Sequence, residues 1–289
     1  MNQAANVDSS EVSKFDRVAQ LWWDPTGKMG MLHVINPLRS QFTFDHVEQI
    51  KGAKAVDVGC GGGILTETLA KAGANVIGID QSEMSLAVAR QHAEKSGLSI
   101  DYRLQRVEEL VELEAGTFDV VTCLEMLEHV PDPAAIIDAC ARLLKPGGHV
   151  IFSTINRSFK AWLFAIIGGE YVMRILPKGT HQYEKLIRPR ELRQWAQASG
   201  LTHLRSASLM FNPLTKRFKV AEGKEDVNYM MSYVKGTSDQ LGGSRQPGMA
   251  GHESIMQVID SCEPSPGVHR TRRGLTTPGW SCSDLPIKA

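Results

Sequence analysis

Residues 55–63 are the feature that most constrains how this chain of 289 residues can fold. They read Ala-Val-Asp-Val-Gly-Cys-Gly-Gly-Gly, an apolar strand that runs straight into a glycine-rich turn. A helix-like stretch follows, and a second apolar strand ends in a carboxylate at Asp80. Glycine lets the backbone approach a ligand without a Cβ clash, and a carboxylate at the tip of the second strand can accept hydrogen bonds from a ribose diol. Together these elements predict the nucleotide-binding crossover of a parallel α/β sheet.

The spacing of the glycines distinguishes between two classes of cofactor. A dinucleotide site prefers Gly-x-Gly-x-x-Gly, but the sixth position is Ile64 when counted from Gly59 and Thr66 when counted from Gly61. The pattern that fits is Asp-x-Gly-x-Gly-x-Gly, which begins at Asp57. S-adenosylmethionine (SAM) has no phosphate to place on a helix N-terminus, and its amino group could be received by Asp57, directly or through water. In these features the chain resembles the class I SAM-dependent methyltransferases.

Strands and helices alternate along the middle of the chain, which predicts a Rossmann-like, doubly wound and mostly parallel sheet of seven strands. We expect a disordered N-terminus over 1–10 and a methyltransferase domain over 11–235, with an N-terminal helical segment and an apolar insertion after the fifth strand. Residues 236–289 are rich in Gly, Ser, Pro and Arg and predict a disordered tail, or a non-native end of the reading frame. The expected strands cover 54–58, 75–80, 99–105, 118–123, 149–154, 203–211 and 227–235.

The composition of the chain indicates which kinds of partner and which cellular compartment to expect. The formal net charge is zero, so there is no general electrostatic argument for a nucleic-acid partner. The five cysteines lack metal-ligand spacing, the N-terminus lacks a secretory signal, and no run approaches the roughly 20 apolar residues of a membrane span. These features predict a protein of the reducing cytoplasm.

The segment after the fourth strand carries the candidate chemistry. Glu125, Glu128 and His129 are spaced i, i+3 and i+4, so on a helical turn all three would point the same way. Two carboxylates and an imidazole could bind a divalent metal, or His129 could act as a general base, with Glu128 as the second candidate catalytic residue. A solvated helix start with a core-facing histidine is the structural alternative. A base or a metal suits methyl transfer to a phenol, because a phenol with a pKa near 10 is only about one part in a thousand ionised at pH 7.

Several motifs together make residues 11–231 very similar to the ubiquinone biosynthesis O-methyltransferase family. Single motifs such as Lys-Pro-Gly-Gly occur in many methyltransferases, whereas the joint presence of the Trp-Trp-Asp, Ile-Asn-Pro-Leu-Arg and Pro-Lys-Gly-Thr-His motifs is more specific. Beyond about residue 235 the resemblance stops. The motifs begin at Trp22, Ile35, Val56, Glu125, Lys145, Pro177 and Val227.

The resemblance implies roles for individual residues and a class of substrate. SAM contacts are implied at Arg39, Gly59, Asp80 and Leu124, where Arg39 would pair with the SAM carboxylate and Leu124 would pack on the adenine. Mg²⁺ or another divalent cation is implied at the Glu125, Glu128 and His129 positions. The implied substrates are polyprenylated catechols and quinols at both O-methylation steps, and other enzymes of ubiquinone biosynthesis are implied partners.

Such substrates reside in the bilayer, which draws attention to residues 157–181. Aromatic and aliphatic residues there, among them Trp162 and Phe164, are flanked by basic residues, as in a helix that lies on a membrane surface. Because the segment follows the fifth strand, a membrane-facing lid over 157–188 is the corresponding expectation, and a buried helix of the domain is the alternative. This places the protein in the cytoplasm, peripheral to the inner face of the cytoplasmic membrane.

Three other functions stay open at the level of sequence. The first is a SAM-dependent methyltransferase that acts on another small phenol. The second is a dinucleotide-dependent oxidoreductase, against which the missing third glycine argues. The third is a scaffold that binds SAM without catalysis, which the retained Asp57, Asp80 and Glu/Glu/His residues disfavour.

Overall fold

The computed structural model describes residues 6–158, 183–212, 215 and 217–237. The chain divides into two compact units, Met1–Gly243 and Ser244–Ala289, and all described residues belong to the first. Residues 159–182 of the expected insertion and 238–289 of the expected tail therefore lie outside the described residues.

Eight strands form one sheet in the order β3-β2-β1-β4-β5-β8-β6-β7. Adjacent strands from β3 to β5 run parallel, whereas β8 pairs antiparallel with both β5 and β6, and β7 pairs antiparallel with β6. The mostly parallel Rossmann-like sheet is as predicted, but it has eight strands rather than seven. The strands are β1 Lys54–Val58, β2 Asn75–Asp80, β3 Asp101–Leu104, β4 Phe118–Leu124, β5 Leu144–Ile155, β6 Leu201–Asn212, β7 Arg217–Glu222 and β8 Asn228–Lys235.

The register of the central strands places their carboxyl ends together. Asp57 near the end of β1 is paired with Thr122 of β4, and Leu124 at the end of β4 is paired with Ser153 of β5. Strands β1 and β4 are buried because helices cover both faces of a parallel sheet, and their near-continuous apolar sequences follow from that burial. Ligands of open α/β sheets bind beyond this carboxyl edge.

Seven helices lie in the described residues, and local signals set most of their ends. Ser82 caps the helix that begins at Glu83 by accepting a hydrogen bond from the Ser85 amide, and Asp132 caps the helix that Pro133 opens. Within the described ranges, no helix has the length and apolar character that crossing a membrane requires. The helices are α1 Ser9–Asp16, α2 Gly30–Asp45, α3 Ile64–Lys71, α4 Glu83–Lys95, α5 Val107–Glu114, α6 Pro133–Leu143 and α7 Pro189–Ala198.

Four elements differ from the sequence-based expectation, and one of them is β5, which begins at Leu144 rather than at residue 149. Helix α1 begins at Ser9, inside the segment 1–10 expected to be disordered, because the Asp8 side chain accepts hydrogen bonds from the Ser10 and Glu11 amides and so caps the helix. Helix α5 was not predicted. Strand β7 is the additional eighth strand: it forms a hairpin with β6, and its alternating burial is that of an exposed edge.

Candidate active site

A cavity of about 840 Å³ opens at the carboxyl edge of the parallel strands. Helices α1 and α2, the turn after β1, the segment after β4 and the β6–β7 hairpin contribute to its wall. The structure brings every predicted site residue to this one cavity. These are Arg39, Asp57, Gly59, Gly61, Asp80, Leu124, Glu125, Glu128 and His129.

The glycine turn after β1 adopts backbone conformations that disfavour a side chain. Gly59, Gly61 and Gly63 have φ of 74°, 53° and 83°. The Asp80 carboxylate, at the end of β2, accepts hydrogen bonds from the Gly61 amide and the Ser82 amide, each at 2.8 Å. Burial raises the pKa of Asp80, and these two hydrogen bonds oppose that effect. Asp80 therefore joins the glycine turn to the start of α4 at the position expected for a ribose-binding acid.

Two tryptophans from the N-terminal segment hold the same turn. The ring of Trp22 lies against Gly61 and Gly62 so closely that a Cβ atom at either glycine would collide with it. The indole nitrogen of Trp23 donates to the Gly62 carbonyl at 2.8 Å, and the Trp23 ring stacks on His92 with centroids 3.3 Å apart. The Trp-Trp sequence motif thus has a structural role that the sequence alone did not reveal: it shapes the cofactor turn.

Asp57 is a buried carboxylate with two hydroxyl partners. Its two oxygens accept hydrogen bonds from the Thr66 and Thr122 hydroxyls, both at 2.7 Å. Burial raises the pKa of Asp57 to about 6, and the nearby charge of Asp80 adds to this effect. A cation in the cavity would favour the ionised form, as expected for a residue that receives the amino group of SAM.

Arg39 and Glu125 form an ion pair inside the cavity wall. Arg39 comes from α2, is 6% exposed, and places Nη2 2.9 Å from Glu125 Oε1. The sequence implied that Arg39 pairs with the cofactor, whereas in this structure Glu125 is its partner. Glu125 also accepts hydrogen bonds from Asn228 Nδ2, at 3.0 and 3.1 Å, and from the Ser153 hydroxyl.

The backbone at Glu125 explains why the segment after β4 departs from the expected helical turn. Glu125 has φ of 55°, the left-handed conformation that residues other than glycine rarely adopt. A short 3-10 turn, Leu127–His129, follows in place of an α-helix. The preceding residue, Leu124, ends β4 and lies in the cavity wall among apolar side chains, where it remains the proposed adenine contact.

Glu128 is a buried acid with only part of its hydrogen-bonding capacity used. Oε2 accepts a hydrogen bond from the Thr154 hydroxyl at 2.7 Å, whereas Oε1 is buried and has no hydrogen-bond partner among the described residues. Burial, followed by the nearby charge of Glu125, raises the pKa of Glu128 to about 7. A carboxyl group in this state can exchange a proton near neutral pH.

His129 pairs with an acid that the sequence reasoning did not identify. Its Nδ1 lies 3.1 Å from Oε2 of Glu11, which comes from α1, and Phe15 of the same helix packs edge-on against the imidazole ring. Burial alone would lower the pKa of His129, but the hydrogen bond to Glu11 and the charges of Glu128, Glu11 and Glu125 outweigh it, so this pKa is raised.

The expected three-ligand metal site is not assembled. Among the described residues, no group of three His, Cys, Asp or Glu side chains is arranged to hold a metal ion. The expectation of one helical face is wrong because the left-handed Glu125 and the 3-10 turn direct Glu125, Glu128 and His129 to different partners. The chemistry of the set still suits a cation, since Glu128 Oε1 has no hydrogen-bond partner within the described structure and the charge of Glu125 helps to raise the pKa of Glu128.

Comparison with known proteins supports the same interpretation of the fold. Residues 56–152 match the family model described as a methyltransferase domain. The ubiquinone biosynthesis O-methyltransferase of Erwinia tasmaniensis is 52% identical over 236 residues, which are 82% of this chain and 97% of that protein. The enzyme of the same name from Hahella chejuensis is 51% identical and covers 83% of this chain and 100% of its own.

A solved structure shares the architecture at low sequence identity. Magnesium protoporphyrin IX methyltransferase from Synechocystis PCC 6803, solved with bound SAH, superposes with a TM-score of 0.55 at 21% identity. The superposition covers 77% of this chain and 94% of that one. At this identity the likeness concerns the fold.

The sheet, the glycine turn and the matched domain define a class I SAM-dependent methyltransferase. Within this class, the relatives at 51–53% identity over about 80% of the chain identify the family. The chain belongs to the ubiquinone biosynthesis O-methyltransferase family.

Proposed function

We propose that this chain transfers the methyl group of SAM to a phenolic hydroxyl of a polyprenylated catechol or quinol in ubiquinone biosynthesis, at both O-methylation steps. The observation that carries the proposal is that the glycine turn and the Glu125–His129 segment face one cavity. A cofactor at the turn and a phenol at that segment would share this enclosure. The names of the curated relatives support the pathway.

The proposed chemistry is an in-line displacement at the sulfonium methyl carbon. The phenolic oxygen forms a bond to that carbon, the carbon–sulfur bond breaks with its electron pair going to sulfur, and the phenolic proton passes to a base. His129 is the proposed base, and Glu128, whose pKa is raised to about 7, would hold or exchange that proton. Alignment of the oxygen, the methyl carbon and the sulfur supplies most of the remaining rate.

Each of the predicted cofactor-binding residues would contact a different part of SAM. Asp57 would receive the amino group of SAM, Asp80 the ribose hydroxyls, and Leu124 would pack on the adenine. Gly59 and Gly61 would let the turn approach the nucleoside closely. Arg39 would exchange its ion pair with Glu125 for the carboxylate of SAM, which would release Glu125 towards the acceptor.

A divalent cation at Glu125, Glu128 and His129 is a further part of the proposal. The buried, unpartnered Oε1 of Glu128 within the described structure supports it, and release of Glu125 from Arg39 is the rearrangement that it requires. When bound, such an ion would lower the pKa of a catechol hydroxyl. The side chains of Glu125, Glu128 and His129 would still orient the acceptor, and the cavity wall would still exclude water.

A methyl-transfer assay tests this function. The assay compares a short-chain prenyl catechol with an unsubstituted catechol, with and without a chelator, and uses Glu125→Gln and His129→Ala beside the unchanged protein. We expect preference for the prenyl catechol, loss of rate with chelator that Mg²⁺ restores, and slow turnover by both variants. Preference for the unsubstituted catechol would instead support another phenol, and unchanged turnover by both variants would remove the assigned catalytic roles.

A binding experiment distinguishes SAM from a dinucleotide as the cofactor. Isothermal titration with SAM and, separately, with NAD should give heat of binding for SAM only. Binding of NAD without SAM would replace the proposal by a dinucleotide-dependent oxidoreductase.

Association with the membrane is proposed for residues 157–181, most of which lie outside the described residues. The support is the sequence, where Trp162 and Phe164 stand among basic residues, and the setting is the inner face of the cytoplasmic membrane. The protein should pellet with anionic liposomes, and Trp162→Asp with Phe164→Asp should abolish this. Leu113→Asp is the matched control, because Leu113 is an apolar residue that is 73% exposed on α5. If the double variant pellets as well as the unchanged protein, the membrane proposal is disproved. The proposed protein partners have a separate test, in which other enzymes of ubiquinone biosynthesis should co-purify with this protein.

A further inference from the structure

The cavity extends beyond the candidate cofactor and reaction groups into an apolar region between α2 and the β6–β7 hairpin. Its wall is built from two parts of the chain that are far apart in sequence. We call it the α2–hairpin wall, and it consists of Met31, Leu32, Ile35, Leu209, Phe211 and Phe218.

The hairpin side of this wall contains an aromatic pair. Phe211 and Phe218 are directly opposite each other in the β6–β7 ladder, and their ring centroids lie 5.0 Å apart. Both rings are partly accessible and line the cavity, whereas Leu209 behind them is buried. The additional eighth strand, β7, therefore gives the cavity an aromatic surface.

The helix side connects the apolar wall to the reaction groups. Ile35 follows Met31 by four residues and Leu32 by three, and Arg39 follows Ile35 by four, so these side chains form one stripe along α2. The stripe ends at Arg39, whose Nη2 lies 2.9 Å from Glu125 Oε1. One helix face thus runs from the charged end of the cavity to its apolar end.

The lining of this space, with charged groups at Arg39 and Glu125 and apolar side chains in the α2–hairpin wall, suits an amphiphilic molecule with a polar ring and a hydrocarbon substituent. A ring hydroxyl near Glu125 and Glu128 would place a substituent on that ring against the stripe of α2 and the two phenylalanines. All residues of the wall also lie outside 56–152, so the wall lies outside the residues that the general methyltransferase domain model matches.

We propose that the α2–hairpin wall is a binding subsite for the hydrocarbon chain carried by the acceptor ring. The proposal rests on the proposed function for the identity of the acceptor, and it adds where the chain binds and which residues recognise it. Burial of the chain against these side chains would supply binding energy remote from the reacting atoms. Phe211 and Phe218 are then specificity-determining residues.

Direct binding tests the subsite without any need for methyl transfer. The probe is a geranyl-substituted dimethoxybenzene, which carries the chain but no free hydroxyl, titrated into the SAH-saturated protein. The variant Phe211→Ala/Phe218→Ala should bind it about tenfold more weakly, as expected when a few methylene-sized apolar contacts are lost. Met31→Glu, on the opposite side, should weaken binding similarly, so the test does not depend on one variant remaining folded. Leu113→Ala should bind the probe, and all variants should bind SAH, like the unchanged protein.

Kinetics provide a second arm that separates this proposal from the proposed function. The double variant should lose about tenfold in kcat/KM with a geranyl catechol and keep its kcat/KM with unsubstituted catechol. Equal losses with both acceptors, or probe binding as tight as in the unchanged protein, would overturn the subsite and place the chain elsewhere, such as against residues 159–182. Variant-sensitive probe binding without methylation of either catechol would uphold the subsite and refute the proposed function.

Discussion

Oε2 of Glu11 lies 3.1 Å from Nδ1 of His129, although 118 residues separate the two in sequence. Both side chains are largely buried, at 5% and 12% exposure. Lys185, which follows the undescribed segment 159–182, contacts Glu11 Oε1 at 3.1 Å and Asp8 at 3.0 Å. Helix α1 is thus attached on one side to the proposed base and on the other to the end of the insertion.

Removal of the Glu11 charge should impair catalysis through His129. A proton on Nδ1 that faces Glu11 leaves the lone pair on Nε2, so the acid selects the tautomer that a base requires. Glu11→Gln should lower kcat by about 10- to 100-fold, a typical effect of losing such a partner. Because Glu11 helps to raise the pKa of His129, the acidic limb of the kcat profile should also move to lower pH.

Lys14→Gln is the control for this variant, since Lys14 lies on the same helix and pairs with Glu11 at 2.9 Å. It should leave the position of the acidic limb nearly unchanged. A limb that stays in place in Glu11→Gln would show that Glu11 has a structural role only.

The same pair should make a pH-dependent contribution to stability. The folded-state pKa of His129 is raised above 6.5, so its contribution is complete below pH 6.5 and is lost as pH rises through the raised value. The pKa of Glu11 is lowered from 4.5, chiefly by its hydrogen bond to His129, so its contribution is complete above pH 4.5 and is lost as pH falls through the lowered value. Thermal unfolding should therefore show the largest loss in Glu11→Gln between about pH 4.5 and 6.5. A Tm difference that is the same at pH 5.5 and pH 9 would contradict the ion pair.

SAM affinity should rise with pH through the pKa of Asp57. That pKa is about 6 without ligand, and a cationic amino group beside the carboxylate favours the ionised form, so binding releases a proton below this pH. Isothermal titration should give a higher affinity at pH 7.5 than at pH 5.5. Asp57→Asn should weaken binding and flatten the pH dependence. Asp119→Asn is the control, because Asp119 pairs with Lys145 and lies at the amino end of β4, away from the cavity. An equally flat profile in that variant would discount the role of Asp57.

A methyl group at Gly61 should disrupt the cofactor turn. In Gly61→Ala the new Cβ would meet the Trp22 ring at a backbone φ of 53°, so SAM affinity should fall at least tenfold and Tm should fall as well. Gly97→Ala is the matched control: Gly97 has φ of 66° but nothing within 4 Å of an added Cβ. The control should lose about 1 kcal/mol of stability and bind SAM normally. Similar SAM affinities in the two variants would rule out the Trp22 contact as the reason for glycine.

The sequence predicted those parts of the fold and site that depend on local patterns. The bounds of β1 and β2 were predicted to the residue, because an apolar run, a glycine turn and a terminal carboxylate all lie within 27 residues, 54–80. The nine predicted site residues share one cavity for the same reason: each follows a strand or belongs to a recognisable motif.

Contacts between distant segments could not be predicted in this way. Nothing near Glu11 marks it as the partner of His129, and Asn228 stands in a recognised motif without any sign that it donates to Glu125. The left-handed backbone at Glu125 also has no local signature, and the partners of its carboxylate, Arg39, Ser153 and Asn228, come from distant segments. A helical spacing of three acid and imidazole groups was therefore a reasonable but wrong guide to their geometry.

The contact between Trp22 and the glycine turn limits how far this enzyme can be trimmed. A fragment cut down to residues 56–152 would retain the glycines and Asp80 but would lack both tryptophans that shape the loop. The minimal autonomous unit therefore begins upstream of Trp22, and truncations or fusions designed for engineering have to leave that leading portion in place.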